Sequence, residues 1–306
     1  YVTRNHGYFV YDTLFASDEN NAIKPQMVDK YEVSADKTVW TFTLRDGLEW
    51  HDGKPVTSED CIASIKRWGA RDSMGQKLMD FVKEFKEVDP KTFQMVLKEP
   101  YGLVLDSLGK PSSQVPFMMP KRVAATSPNE QISDYTGSGP FVFRKDEWKP
   151  GDRSVYVKWD KYKPRAEPAS GLAGGKVAKV DRIEWRQLAD QQTAVNALIA
   201  GEVDFIEAPS HDLLPILRRD ANVKLVDWNP LGNQYAFRFN TTAKPFDHAK
   251  IRQAVVLALN QEDFLQAVVQ HDPLETAGAR HLAAARAAHE QVALPAREPV
   301  AGVDGQ

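Results

Sequence analysis

The sequence is poorest in cysteine. Cys61 stands alone among 306 residues, so no disulfide can form within the chain and no zinc site built on paired cysteines is available. Long apolar runs are missing as well: no stretch approaches the roughly 18 consecutive apolar residues of a membrane-spanning helix. Neither sign of charge dominates, with 39 Lys and Arg against 42 Asp and Glu and a formal net charge of −3. That balance excludes a chain that holds nucleic acid through clustered positive charge. The chain opens at Tyr1 without an initiator Met, a basic leader or an apolar leader, so a removed targeting segment or an excised piece is expected. No lysine follows Lys250 and no aromatic residue follows Phe264. From Leu274 to Gln306 the text is Ala- and Arg-rich and then broken by Pro and Gly. Such a stretch is expected of a disordered or loosely helical tail, or of a non-native ending.

What is present suffices for real cores. Hydrophobic residues make up 42% and aromatics 10% of a length that suggests about two domains. The aromatic run Tyr8–Phe15 reads as a buried strand or the start of a short helix. Thr38–Arg45 alternates, with Trp40, Phe42 and Leu44 on one side, and predicts a strand paired with Tyr31–Val33 through a hairpin loop. Asp46-Gly47 and Asp52-Gly53 mark tight turns. Thr57 with acids in the following turn predicts a helix start; Cys61, Ile65 and Trp68 then share a face, and Gly69 supplies a stop. On that spacing Cys61 is a core residue, not a reactive thiol. Another hairpin is predicted from Phe85 to Leu97 about Asp89-Pro90-Lys91, making the first block α+β.

The rhythm changes after Gly137-Ser138-Gly139-Pro140. Phe141–Arg144 and Ser154–Trp159 read as a hairpin. Beyond it, Val180–Trp185, Asp190–Ala200 stopped by Gly201, Val203–Ile206, Ser210–Arg219 and Val223–Val226 read as alternating strands and helices, a parallel α/β unit. Tyr235, Phe237 and Phe239 alternate as a further strand, and Asp247 is expected to cap a helix carrying Ile251, Ala254, Val255 and Ala258. Gly171–Gly175 reads as a surface loop.

Catalytic motifs are absent. Gly137-Ser138-Gly139 lacks the glycines that a nucleophile elbow needs two positions either side of its serine. Gly175-Lys176 lacks both the earlier glycine and the following Ser or Thr of a phosphate loop. No G-x-G-x-x-G opens a helix. The histidines His6, His51, His211, His248, His271, His281 and His289 show no metal-ligand spacing, so each is expected to be solvated or structural, and no metal or cofactor is expected. Asp18-Glu19-Asn20-Asn21 lacks the glycine and terminal glutamate of a calcium loop and reads as a solvated turn. Trp40, Trp50, Trp68, Trp148 and Trp159 are expected mostly in the core, with a minority free to line a ligand cavity.

Four stretches carry a resemblance: Leu44-Arg45-Asp46-Gly47-Leu48-Glu49-Trp50-His51-Asp52-Gly53-Lys54-Pro55-Val56-Thr57, Gly137–Phe141, Gly201–Phe205 and Ile251–Asn260. Their order and spacing over Tyr8 to about Val269 resemble the dipeptide/oligopeptide-type (family 5) solute-binding proteins of ATP-binding-cassette (ABC) importers. The resemblance implies an α/β, periplasmic-binding-protein-like type II lobe with an inserted α+β domain, the second lobe being mostly missing. It places a split α/β domain at 1–21 and 136–240, the inserted domain at 22–135, the start of an opposing domain at 241–273 and an atypical tail at 274–306. It further implies capture of a peptide by closure of a cleft and delivery to a membrane permease. A lone lobe is then expected to bind peptides weakly or not at all.

The cleft positions that match best are Asp12, Thr13 and Leu14, with Tyr235, Phe237 and Asn240. Asp12 would pair a cationic group or a main-chain amide, or else cap the following turn; Tyr235, Phe237 and Phe239 could equally be the core face of a strand. The family also implies alternatives, in which the solute is nickel, haem, an opine or a sugar. A remoter one is a hydrolase built on Asp52 or Asp204. A monomer in the periplasm or anchored by lipid at the cell surface is expected.

Overall fold

The amino-terminal aromatic run resolves into helix α1 (Val2–Val10) followed by strand β1 (Phe15–Ser17), which pairs antiparallel with β2 (Ile23–Pro25). This computed structural model describes residues 2–233, 237–260, 263 and 279–286. The chain divides into two compact units, one covering Tyr1–Gln187 and the other starting at Leu188.

Period-two alternation builds the main sheet of the first unit. β3 (Val28–Val33), β4 (Val39–Leu44), β5 (Val82–Asp89) and β6 (Thr92–Leu97) lie antiparallel in the order β3-β4-β6-β5. Phe42 and Leu44 on β4 and Phe93, Met95 and Leu97 on β6 are buried together, because residues two apart share a face. Burying one such side chain stabilises by about 1.5–3 kcal/mol. Trp40 is only half-buried and stacks on Tyr31 with ring centroids 6.1 Å apart.

Helix α2 (Ser58–Gly69) adds Cys61, Ile65 and Trp68 to that core. Its start is a reciprocal cap: Asp60 N donates to Thr57 Oγ1 (3.4 Å) and Thr57 N to Asp60 Oδ2 (2.9 Å). Burial pushes the Cys61 thiol up, in keeping with a packed, inert side chain. Gly69 is not the expected stop. It belongs to the last turn, and Ala70 caps the helix in an ordinary right-handed conformation. Asp72 then caps α3 (Ser73–Phe81), and two short helices, α4 (Val104–Leu108) and α5 (Lys121–Ala124), complete this region.

β7 (Phe141–Phe143), β8 (Arg153–Lys158) and β9 (Arg182–Arg186) form a second antiparallel sheet. Val10, Tyr11, Phe141 and Tyr156 make a separate small core there. Trp148, expected inside, is 37% exposed. The 171–175 stretch is no plain surface loop either, since Ala173, Gly174 and Gly175 are buried.

His51 ties these parts of the first unit together. Its main-chain N–H donates to Gly137 O (2.8 Å), Gly137 N donates to the ring Nδ1 (3.3 Å), and the ring Nε2 lies 3.0 Å from Gly139 O. Only the neutral ring with its proton on Nε2 satisfies both side-chain contacts at once. The glycines are needed because α1 ends against them: a Cβ on Gly137 would sit 1.8 Å from Val10 O.

In the second unit Asp190 caps α6 (Gln191–Ala200), its carboxylate accepting from Thr193 N, and Gly201 closes the helix at φ 76°, a left-handed value that favours glycine. β10 (Phe205–Ile206), α7 (Leu214–Arg219), β11 (Val223–Asn233), α8 (Ala249–Ala258) and β12 (Ala279–Arg286) follow. Val195, Leu198, Leu214 and Leu217 are its buried core.

The expected parallel unit is corrected here. β9 pairs with β8, while β10 and β11 each pair antiparallel with β12, which lies between them. β10 and β11 do run in one direction, but an apolar run does not reveal that a third strand separates them. Residues 237–240 form no strand, Tyr235 lies outside the described residues, and α8 starts at Ala249 behind His248 without a side-chain cap from Asp247. Apart from β12, the 274–306 tail also lies outside the described residues.

Burial holds the His51 ring below its ordinary value of 6.5, against the opposing pull of Gly139 O and of the Asp52 carboxylate. The unfolded chain therefore binds this proton more readily, so the stability contributed by neutral His51 is present above pH 6.5 and is lost as the pH falls below it. Thermal melts from pH 7.5 to 5 should show a steeper fall in Tm for the natural protein than for His51→Gln; parallel curves would remove His51 as a contributor.

Candidate functional site

Asp12 is 1% exposed at the turn between α1 and β1, a place where a carboxylate cannot stay without partners. It has three. Lys176 Nζ donates to Oδ1 at 2.7 Å, Thr13 N to the same oxygen at 3.0 Å, and Tyr162 OH to Oδ2 at 2.9 Å. The Lys176 ammonium also stands 5.7 Å from the centre of the Tyr8 ring, while Tyr8 OH donates to Pro111 O. Burial first, and then the Asp12 carboxylate, raise Tyr162 well above the usual phenol range, which keeps it a donor. Asp12 is thus occupied by its own chain: it pairs Lys176 and accepts the Thr13 amide at the turn.

The backbone around Asp12 is equally committed. Asp12 O accepts from Met118 N (2.9 Å), Thr13 O from Met27 N (3.0 Å), and Leu14 O from Gln26 N (2.9 Å) and Val28 N (3.4 Å). Thr13 forms an antiparallel bridge with Phe117. Residues 12–14 are therefore a buried rail held between 26–28 and 117–118. Thr13 Oγ1 and Tyr11 OH are buried without a hydrogen-bond partner among the described residues.

Phe117, bridged to Thr13, also borders a cavity. Val115, Phe117 and Met119 join Trp68 of α2 to line this cavity of about 280 Å³, with Arg67 and Arg71 also at its wall. Phe117 packs edge-on against Tyr8, 5.0 Å between centroids, and the Trp68 indole N–H donates to Gln114 O (2.6 Å), fixing the indole against the cavity. Arg67 holds the loop opposite: its Nη1 donates to Thr126 O, Thr126 Oγ1 and Ser127 O, and its Nη2 to Glu130 O.

Of the six residues expected at a site, Asp12, Thr13 and Leu14 come together as this rail. Phe237 is 68% exposed in the other unit, and Asn240, exposed there too, accepts from Thr242 N and Oγ1 through its side-chain oxygen. Tyr235 lies outside the described residues. Lys176 and Tyr162 were not legible as partners of Asp12, because they stand 164 and 150 positions away. Arg67, Arg71 and Phe117 carried no motif at all.

The carboxylates considered for hydrolysis have other surroundings. Asp52 pairs with Arg122 at 3.1 Å, and Asp204 is exposed in the second unit. Among the described residues no three His, Cys, Asp or Glu side chains gather as a metal site.

The profile of the bacterial extracellular solute-binding proteins, family 5 (middle region), matches residues 22–285, and the chain belongs to that family. A probable peptide ABC transporter periplasmic-binding protein, y4tO of Sinorhizobium fredii, is 44% identical over 268 residues, which is 87% of this chain and 50% of that protein. The dipeptide-binding protein DppE of Bacillus subtilis is 27% identical over 269 residues, 81% of this chain and 46% of that one. Among solved structures, the binding protein AgaA of A. tumefaciens R10 in complex with agropinic acid superposes with TM-score 0.69 at 26% identity, over 86% of this chain and 50% of that one. The mixed α/β architecture of a type II binding-protein lobe is thereby shared. The chain spans about half the length of the curated relatives it matches.

Lys176→Met should leave the Asp12 carboxylate buried without its cation and cost about 3–5 kcal/mol, whereas removing both charges with Asp12→Asn added should recover most of that loss. Denaturant unfolding of Lys176→Met, Asp12→Asn and the double variant checks this; a double-variant loss equal to the sum of the two single losses would show the pair to be uncoupled.

Proposed function

We propose that this chain is part of the solute-binding component of an ABC importer, capturing peptides outside the cytoplasm and handing them to a permease in the inner membrane. The observation that carries the reading is the 44% identity, over 87% of the chain, to a protein named as a probable peptide-transporter binding protein. A rail tied down on both sides, with an apolar cleft against it, suits a role in holding a ligand without transforming it. Its three main-chain carbonyls and the Asp12 carboxylate are spent on the chain itself, and the acids considered for catalysis are ion-paired or exposed singly.

The domain division belongs to the same reading: a split α/β domain (1–21 and 136–240), an insertion (22–135) and the start of an opposing domain (241–273). Two separate cores in the first unit support its first two parts, one around Phe42 and one around Tyr156. Asp12, Thr13 and Leu14 would shape one wall of the cleft from behind, and Tyr235, Phe237 and Asn240 would belong to the crossover toward the opposing domain. A single copy is the expected working unit. Among the described residues no helix is long and apolar enough to cross a membrane. The opine-bound relative is more distant, at 26% identity, so the peptide reading takes precedence over an opine.

Saturation-transfer NMR suits the test, because it detects millimolar binding. With a mixed di- and tripeptide pool, transfer to peptide resonances is expected and none to a monosaccharide pool. Transfer to the sugars alone, or to neither, would overturn the reading.

A further inference from the structure

The cleft beside the Asp12 rail has an unbalanced charge. Among the described residues neither Arg67 nor Arg71 makes an ion pair, and no acidic side chain lines the cavity. The nearest acid in sequence, Asp72, is already spent: its carboxylate accepts from Met74 N and Gly75 N at the start of α3 and pairs with Lys110. The two arginines differ in what they do. Arg67 has both terminal nitrogens committed to the 126–130 loop and acts as a positioning residue. Arg71 donates from Nη1 to Asn129 Oδ1, and its Nε and Nη2 have no acceptor among the described residues.

The remaining wall is apolar and aromatic. Trp68 lines the cavity with its N–H already engaged, beside Val115, Phe117 and Met119. A guanidinium with free donors in a fork, set at the rim of an apolar cavity of about 280 Å³, is built to take a carboxylate attached to an apolar body.

We infer that Arg71 is a specificity-determining residue, which selects peptides presenting a carboxylate to this cavity while Trp68 and Phe117 receive the adjoining apolar portion. The selection rests on the peptide-binding function proposed above and names the ligand chemistry of that function. The carboxylate has two sources in a peptide, an acidic side chain or the chain terminus.

Titrations followed by saturation-transfer NMR separate these cases. Ala-Glu against Ala-Gln varies the side chain alone, and Ala-Leu against its C-terminal amide varies the terminus alone. The natural protein should favour the carboxylate member of at least one pair by about fivefold in Kd, as an arginine contact at a half-open site allows. Arg71→Gln, which keeps a donor for Asn129 at an exposed position, should abolish that preference with Tm unchanged. Arg71→Lys should retain part of it, and raising the salt concentration should weaken it. The pair that loses its preference identifies the source. Equal affinity within both pairs, or a preference that survives in Arg71→Gln, would overturn the assignment while leaving peptide binding intact. No binding of any of the four peptides would instead remove the peptide function, and this assignment with it.

Discussion

The first unit depends on one buried ion pair. Taking the Asp12 carboxylate out of water carries a penalty of several kcal/mol, and the pull of Lys176 at 2.7 Å offsets it only because Tyr162 and the Thr13 amide fill the remaining lone pairs. A pair balanced in this way adds little net stability. What it adds is position. It fixes the turn after α1 against a segment far along the chain, and every hydrogen bond of residues 12–14 to 26–28 and to Met118 inherits that placement.

The cleft inherits it as well. Phe117 stands opposite Thr13 in the bridge, so the apolar floor of the cavity is one strand's width from the ion pair. The other wall is set by a different device. The capping box of Thr57 and Asp60 starts α2 in the right register, the helix delivers Trp68 to the core and Arg67 to the 126–130 loop, and Asp60 Oδ1 also accepts from Lys121 N at 2.6 Å. Two carboxylates, Asp12 and Asp60, thus hold opposite sides of one opening without touching it.

Local signals were well represented in the sequence. The β3–β4 and β5–β6 hairpins, the Thr57 start of α2, the Asp190 and Gly201 ends of α6 and the burial of Cys61 all follow from periodicity, caps and turns within a few residues. Non-local order was not. The position of β12 between β10 and β11 depends on a strand far along the chain from either, Asn233 pairing with Ala279 and Phe205 with Ala285, and no spacing within β10 or β11 encodes it. The candidate site divides in the same way. Asp12 came forward through the family resemblance, but Lys176 was considered only for a phosphate loop and set aside, because its partner is identified by burial and geometry and not by a motif. Gly69 read as a helix stop from its type alone, whereas its lack of a side chain serves a close approach: a Cβ on Gly75 would lie 2.9 Å from Gly69 Cα.

The separation of 164 positions between Asp12 and Lys176 has a consequence for how the protein is made. Synthesis runs from the amino terminus, so the carboxylate leaves the ribosome long before its ammonium exists. At roughly 5–20 residues per second, that interval lasts on the order of ten to thirty seconds. Through that time Asp12 is most stable in water, and burying it early would be strongly unfavourable. The latch on this half of the fold is therefore left open until late in translation, and a nascent chain that must stay extended gains that delay from sequence order alone.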